Sequence, residues 1–437
     1  MNGNRQKRIL SNVVSPYGLA IISYAFFLFA CLIPPSVYTH CMNEPDLMFL
    51  DPTTILFYTL CVASFLSGVW LLGWLLPPVP SVDRKFLPKA SPAVFLLIPL
   101  VPCVLLVALS SFLLVRNNPL AIPLLIAQQG SLIAPDGDAS LNFHGTMNIS
   151  VLFVSGVVWW SVWRFNQLGV AWRGKLVVRL SQLLAVVAVL IATSLMLSRH
   201  LVTVLATGLV LCYLVRKTLF KQLNWTLVGR TTLVFLLGGG LVFFLVSSLR
   251  GASDLDVQLI GFTGYTVASY NRLAALLHGN LHFEYSGKGI YFSNFLSFNN
   301  LFNRIIPLRE VLGYPNFFNW WMSSFASVGR SGLQASLIFC GAFGEIYLEI
   351  GWLAPLYVFC YGLLYGLVWQ WMTAGHLIGI ILYPYCAYCI LFWFSTNGLF
   401  DQDIVALIID ALALAVYEFL FVRQSEVLIQ IPMGRLK

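Results

Sequence analysis

The sequence predicts an all-α, polytopic integral membrane protein of about ten transmembrane helices, with one large extracytoplasmic loop between spans seven and eight. Three observations predict it. Hydrophobic residues make up 59% of the 437-residue chain and charged residues only 10%, with a mean hydropathy of +0.83; a soluble chain carries about 25% charged residues. Apolar runs recur at the length of about 20 residues that a bilayer crossing requires. Lysine and arginine crowd alternate connections, the bias that orients membrane proteins. Charge is scarce because a charged side chain at mid-bilayer costs roughly 2.5–3.5 kcal/mol on insertion scales. The net charge of +8 therefore reads as topology, and no nucleic-acid partner is expected.

The spans follow in order. Tyr17 to Val37 is the first, Thr53 to Leu76 the second and Pro92 to Val115 the third. The connection from Arg116 to His144 contains an apolar piece, Ala121 to Ala127, too short to cross and read as interfacial or re-entrant. Gly145 to Trp163 is a shorter fourth span. Leu180 to Ser198 and Leu201 to Val215 are the fifth and sixth, joined by a tight turn, and Thr231 to Leu249 is the seventh. After the long loop come Trp352 to Met372, Leu377 to Ser395 and Ile404 to Val422. The apolar piece Ala335 to Phe343 leaves eleven or twelve spans, or a re-entrant segment, open. The chain thus divides into residues 1–249 (spans one to seven), 250–351 (the large loop with lid helices) and 352–437 (spans eight to ten and a tail).

With the N-terminus in the cytoplasm, the inner connections hold Arg5, Lys7 and Arg8; Arg84, Lys85 and Lys89; Arg164, Arg173, Lys175 and Arg179; Arg216, Lys217, Lys221 and Arg230; and Arg423, Arg435 and Lys437. The outer side keeps Arg116, Arg199 and the arginines and lysine of the long loop. Short loops decide orientation, so both termini are expected inside. Arg5, Lys7 and Arg8 precede a run long enough to span, with no small-residue cleavage pattern after it, so no cleavable signal peptide is expected. Seven of the nine cysteines fall inside apolar runs, where Cys acts as a small hydrophobe. Cys386-x-x-Cys389 lies mid-span with no second pair, and no disulfide framework or metal site is expected from it.

Chemistry is expected in and around the loop. In the turn Ser198-Arg199-His200, Arg199 either snorkels to the outer headgroups or sits at a cavity floor facing an anion, which its planar fork grips at two oxygens. Gly261 to Gly279 reads as one amphipathic helix with a glycine stop after His278; Tyr265 and Arg272 share its polar face. His278 and His282 are four apart, but Gly279 between them argues against a shared metal. Glu345 and Glu349, in Gly341-Ala-Phe-Gly-Glu-Ile-Tyr-Leu-Glu-Ile-Gly351, share a helical face at the membrane edge and suit acid–base work, or pair with arginines of the loop. Glu44-Pro-Asp46 in the first outer loop is the kind of acidic pair that polyprenyl-phosphosugar-dependent transferases use to hold a metal. Asp410 and Glu418 are carboxylates inside the last span and functional suspects on that ground.

The ten-span layout, the hairpin carrying Ser198-Arg199, the loop opening with Tyr265, Tyr270 and Asn271, and the run Gly344-Glu345 to Ile350-Gly351-Trp352-Leu353 resemble the oligosaccharide repeat-unit polymerases of bacterial surface polysaccharides, the O-antigen polymerase family. The resemblance covers most of the chain in layout and three short patches in sequence. It implies an enzyme of the bacterial inner membrane that transfers a growing glycan from undecaprenyl diphosphate onto a new lipid-linked repeat unit at the outer face. It implies lipid-linked oligosaccharide, membrane lipid and a chain-length regulator protein as partners. The related O-antigen ligases carry His-Asn shortly before the equivalent Glu; this chain has Cys340 and Gly341 there, which argues against ligation.

A lipid diphosphate is a good leaving group, and arginines that stabilise its developing charge stand in for a metal. Arg199, Arg250, Arg272, Arg304 and Arg330 are the candidates for that role, with Tyr265, Tyr270 and Asn271 for the sugars. No cofactor or metal is expected. A base must take the proton of a sugar hydroxyl; among His278, His282, Glu345 and Glu349, Glu345 is placed first for its position and His278 next for its chemistry. The alternatives are a flippase for the same lipid-linked sugars, although no internal repeat is visible, a polyprenyl-phosphosugar-dependent transferase, and an O-antigen ligase.

Overall fold

A computed structural model describes residues 13–76, 87–117, 138–165, 167–168, 171–195, 199–219, 224–249, 255–297, 305–396, 398 and 403–423. Apart from a two-residue antiparallel ladder (β1, Leu87–Pro88; β2, Val422–Arg423), the regular structure among them is helical. The chain is a multi-pass helical protein. Each of the ten expected runs has a helical counterpart. Among the described residues, seven helices are long and apolar enough to cross a membrane, or up to eight if one bent pair counts as a single span; Ile149–Phe165 and Leu377–Leu391 are shorter apolar helices.

The bent pair is the first departure from the sequence reading. Helix α1 (Pro16–Cys31) stops well short of Val37, and α2 (Pro35–Met42) leaves it at 93°. Pro34-Pro35 explains the break: proline lacks the N–H that would continue the helix and pushes the preceding residue out of helical geometry. Helix α3 (Pro52–Leu75) starts cleanly because the carboxylate of its N-cap, Asp51, accepts the Thr54 amide at 2.9 Å. Then follow α4 (Pro92–Asn117), α5 (Asp138–Phe165), α6 (Trp172–Leu195), α7 (Arg199–Leu219) and α8 (Trp225–Leu249). The apolar piece 121–127 and the turn residues 196–198 lie outside the described residues.

The expected single helix from Gly261 to Gly279 is two: α9 (Leu255–Thr266) and α10 (Ala268–Leu277), broken at Val267. Nor is α10 a wet lid, because Ala268 through Leu276 are all buried. Its glycine stop is present. Gly279 has φ +71 and follows the C-cap His278, and the Asn280 amide donates back to the Ala275 carbonyl at 2.8 Å, closing a Schellman turn. The loop continues through α11 (Ile290–Ser297), α12 (Leu308–Val311), α13 (Phe317–Arg330) and α14 (Gly341–Ile350). Of the apolar piece 335–343, residues 335–340 are not helical and Gly341 opens α14. Leu281, Ile290, Trp320, Val328 and Ile338 form a second apolar core beside the main one, so the described part of the loop is a folded cap.

Helices α15 (Ala354–Thr373), α16 (Leu377–Leu391) and α17 (Asp403–Phe421) complete the bundle. The close pairing of α3 with α15 depends on glycine. A Cβ at Gly68 would lie 2.2 Å from the Phe359 carbonyl oxygen, and one at Gly362 2.1 Å from that of Phe65. Small residues let helix backbones approach in this way where lipid tails remove the usual hydrophobic drive between helices. Polar contacts gather at the two ends of the bundle. At one, Arg164 pairs with Glu418 at 2.7 Å and Lys89 donates to the last carbonyls of α17, where a cation is favoured. At the other lie the contacts of Glu44, Asp51, His200 and His278.

Candidate functional site

Glu44 is the hub of the cap. It has no exposed side-chain surface, and neither has Arg272, which forks onto it through two hydrogen bonds of 2.7 Å. The Gln334 amide donates to Glu44 Oε2 at 2.8 Å, Asn271 Nδ2 to Oε1 at 3.2 Å, and the Tyr38 hydroxyl also bonds it. Burial pushes the Glu44 carboxyl up, but the Arg272 guanidinium outweighs it and holds the group below the usual carboxylate range. Arg272 also donates to the carbonyls of Leu337, Ala268 (3.0 Å) and Gln334 (3.1 Å). An arginine has five N–H donors, and here all five are engaged within the protein. Asn271 bonds the Pro45 carbonyl at 2.9 Å and accepts the Leu47 amide at 2.7 Å. Arg272 and Asn271, expected to face diphosphate and sugar, therefore tie the first outer loop to the buried helix α10. Glu44, half of the acidic pair noted in the first outer loop, is their counter-charge.

Asp46 is held differently. One carboxylate oxygen accepts the amides of Met48 and Phe49, both at 3.0 Å, while Oδ2 is buried with no hydrogen-bond partner. Burial raises its pKa against those two bonds.

His278 caps the end of α10, and its Nε2 lies 3.1 Å from Asp51 Oδ2. The imidazole is 39% exposed and the carboxylate 13%. Burial pushes the Asp51 carboxyl up, but the Thr54 hydroxyl and amide and the histidine bring it below its ordinary value. A carboxylate that fixes one imidazole nitrogen while the ring stays open to solvent is the arrangement of an oriented general base. Asp51 was not singled out in the sequence, where nothing linked it to His278, more than two hundred positions away.

The Glu345–Glu349 pair does share α14, and its members have separate surroundings. Glu349 accepts the amides of Gly289 (2.7 Å) and Tyr291 (2.8 Å) at the start of α11. Its visible work is to anchor a helix N-terminus. Glu345 is partly buried, one turn earlier on the side of Tyr291 and Cys340. Tyr270 is buried against Phe27 and Tyr58, while Tyr265 is 37% exposed beside Phe243 and Phe339. Arg330 is exposed at the end of α13, with bonds of 3.3 Å to Ala326 and Ser327 of its own helix. The side chain of Arg199, which opens α7, and Arg250 and Arg304 lie outside the described residues.

A second His–acid pair was missed in the sequence. His200 Nε2 lies 2.6 Å from Asp403 Oδ2, and its Nδ1 is 2.8 Å from the Tyr388 hydroxyl. Asp403 is the first residue of the last helix, and that position was its only sequence signal. Comparison with known proteins finds no matching family model, no matching curated protein and no matching solved structure. The resemblance to the repeat-unit polymerases rests on layout and short motifs alone.

Proposed function

We propose that the protein polymerises undecaprenyl-diphosphate-linked oligosaccharide repeat units into a surface polysaccharide, as a metal-independent glycosyltransferase at the outer face of the bacterial inner membrane. Both termini then lie in the cytoplasm and the cap lies outside. The observation that supports this reading best is the His278–Asp51 pair, an oriented and half-open imidazole at the end of α10. It favours His278 over Glu345 as the base, because the required orienting partner is in place. His278 accepts the proton of the acceptor sugar hydroxyl, whose oxygen bonds to the anomeric carbon. The bond from that carbon to the diphosphate oxygen breaks, and its electron pair leaves with the diphosphate. Arg199, Arg250, Arg304 and Arg330 are assigned to that charge, and Arg272 to holding the floor of the site through Glu44. Tyr265 offers a sugar ring an accessible aromatic face.

His278→Asn keeps size and removes the base, and turnover of lipid-linked repeat units by the purified protein is expected to fall by about 10²- to 10⁴-fold. Turnover at the parent rate removes His278 from the mechanism. One observation favours a carrier instead. Asp410 is buried in the last span opposite Gly156, with Oδ2 unbonded, and transporters place their sites near the midplane. Polysaccharide extracted from a deletion strain separates the two. Single lipid-linked units at the outer face indicate a polymerase, and their absence there indicates a flippase.

A further inference from the structure

Residues 305–312 read Ile-Ile-Pro-Leu-Arg-Glu-Val-Leu, and α12, a single helical turn, is too short to bury them. Ile305 and Val311 are each 72% exposed, and Ile306 and Leu312 are exposed as well. A lone exposed aliphatic is ordinary on a protein surface, but a cluster of them marks a contact surface. This cluster is held in a fixed shape. Gly313 takes φ +67, and the Tyr314 amide closes back on the Arg309 carbonyl at 2.9 Å. The Tyr314 hydroxyl donates to the Lys288 carbonyl at 2.8 Å and accepts from Ser293 Oγ at 3.2 Å, which fastens the turn to α11.

Ring contacts tie this edge of the cap to two membrane-crossing helices. On one flank, Phe292 of α11 stacks at 4.4 Å on Tyr357, in the first turn of α15. That end of α15 is turned outward, with Trp352, Leu353 and Leu356 exposed. On the other flank, Phe317 of α13 stacks on Trp321 at 5.9 Å and Trp321 meets Phe339 at 6.0 Å. Phe339 meets Tyr265 at 6.5 Å, and Tyr265 meets Phe243 of α8 at 6.4 Å. Leu237, Leu241 and Leu245 of α8 are exposed. Both α8 and the segment containing α15 are long and apolar enough to span, so their exposed leucines are lipid faces. The apolar turn thus continues, on both flanks, into surface that lipid covers. Trp321 and Tyr265 lie along it, the residue types that gather at a membrane–water interface.

Charge favours the same partner. Among the described residues from 286 to 330, the charged side chains are Lys288, Arg309 and Arg330 against Glu310 alone. We infer that the turn at 305–312 is an interfacial anchor: its aliphatic side chains enter the leaflet on the cap's side of the membrane, and the basic side chains beside it meet anionic phospholipid headgroups. Long basic side chains suit that level, because their stems lie along apolar surface while their heads reach the headgroups. A second copy of the chain is the other possible occupant, but a patch that runs into lipid faces on both flanks is already at the level of the bilayer. The cap is then held at two places, by Arg272 on Glu44 within the protein and by this turn in the lipid. The inference goes beyond the glycosyl-transfer reading and does not depend on it.

The test uses purified full-length protein, one copy per nanodisc of phosphatidylethanolamine and phosphatidylglycerol. Cys41, Cys103 and Cys360, the native cysteines that are not buried, are replaced by alanine. A single spin label is then attached at Ile305→Cys, at Val311→Cys or, as the water-facing control, at Glu284→Cys, an exposed acid of the same cap. Ile305 and Val311 are exposed, so neither substitution removes a packed side chain. Power saturation compares collisions with oxygen, which concentrates in lipid, and with a water-soluble nickel chelate. The labels at 305 and 311 are expected about 5–10 Å into the boundary between headgroups and acyl chains, with an oxygen-to-nickel ratio above that of the control. Ratios equal to that at 284 place the turn in water and overturn the inference. Protection that appears only in discs holding two copies, with spin–spin broadening, overturns it in favour of a second copy. Replacing phosphatidylglycerol with phosphatidylcholine is expected to make both labels shallower, and an unchanged depth overturns the part assigned to anionic headgroups.

Discussion

Glu44 takes hydrogen bonds from Arg272, Asn271, Tyr38 and the amide of Gln334, with no side-chain exposure to water. Removing one partner of such a pair strands the other charge, at a cost of about 3–5 kcal/mol. Glu44→Gln is therefore expected to lower the unfolding temperature of the purified protein clearly, and Glu44→Gln with Arg272→Met to recover part of the loss. Equal melting of parent and Glu44→Gln contradicts the role given to this pair. The pH dependence has a definite sign. The folded-state pKa of Glu44 is depressed, so its contribution is complete above the unfolded glutamate value of about 4.3 and is lost as pH falls through the lower folded value. The sequence showed Glu44 and Asp46 as an acidic pair of the kind that holds a metal in polyprenyl-phosphosugar-dependent transferases, the alternative reading. It could not show Arg272, 228 positions away, because the contact exists only once α10 is buried against the first outer loop. His278 was legible as a base for its chemistry, but its meeting with Asp51 was not legible, for the same reason.

Helix α10 and the α3–α15 contact show what local pattern does and does not specify. Gly279 was readable as a stop because a left-handed residue after the last turn favours glycine, and it takes φ +71. The break at Val267 had no such residue to announce it, and the burial of the whole of α10 follows from the cap packed over it. Pro34-Pro35 was readable in principle as a helix end; the apolar residues around it extended the expected span past the bend. Gly68 and Gly362 carry no periodic signal, yet an added methyl would lie 2.2 Å and 2.1 Å from facing carbonyl oxygens. Gly68→Ala is expected to push α3 from α15 and cost about 1–3 kcal/mol, the range for overpacked interiors. Thermal unfolding in detergent measures it. Gly73, with open space around it, is the control, and equal losses at both positions contradict the close-packing account.

Across the bundle, composition and charge pattern foretold a multi-pass helical protein because the bilayer demands long apolar helices whatever the fold. The number of crossings was less legible, since the shorter apolar helices and the bent pair are set by packing against neighbours. The contacts at the two ends group Lys89, Arg164 and Glu418 apart from Glu44, Asp51, His200 and His278. Cysteines introduced at Ser286 or Asn316 are expected to react with an impermeant reagent in intact cells, and one at Asn224 to stay unreactive. Labelling at Asn224 reverses the orientation and removes the cap from the outer face.

The central claim, that His278 activates a sugar hydroxyl for metal-independent polymerisation, is tested most directly with purified protein in detergent. The parent and His278→Asn are incubated with a synthetic undecaprenyl-diphosphate-linked repeat unit in excess chelator, and the products are resolved by length. The account predicts a ladder of polymer from the parent and little or none from the variant. A parent ladder that appears only when magnesium or manganese is restored, or an equal ladder from His278→Asn, contradicts it.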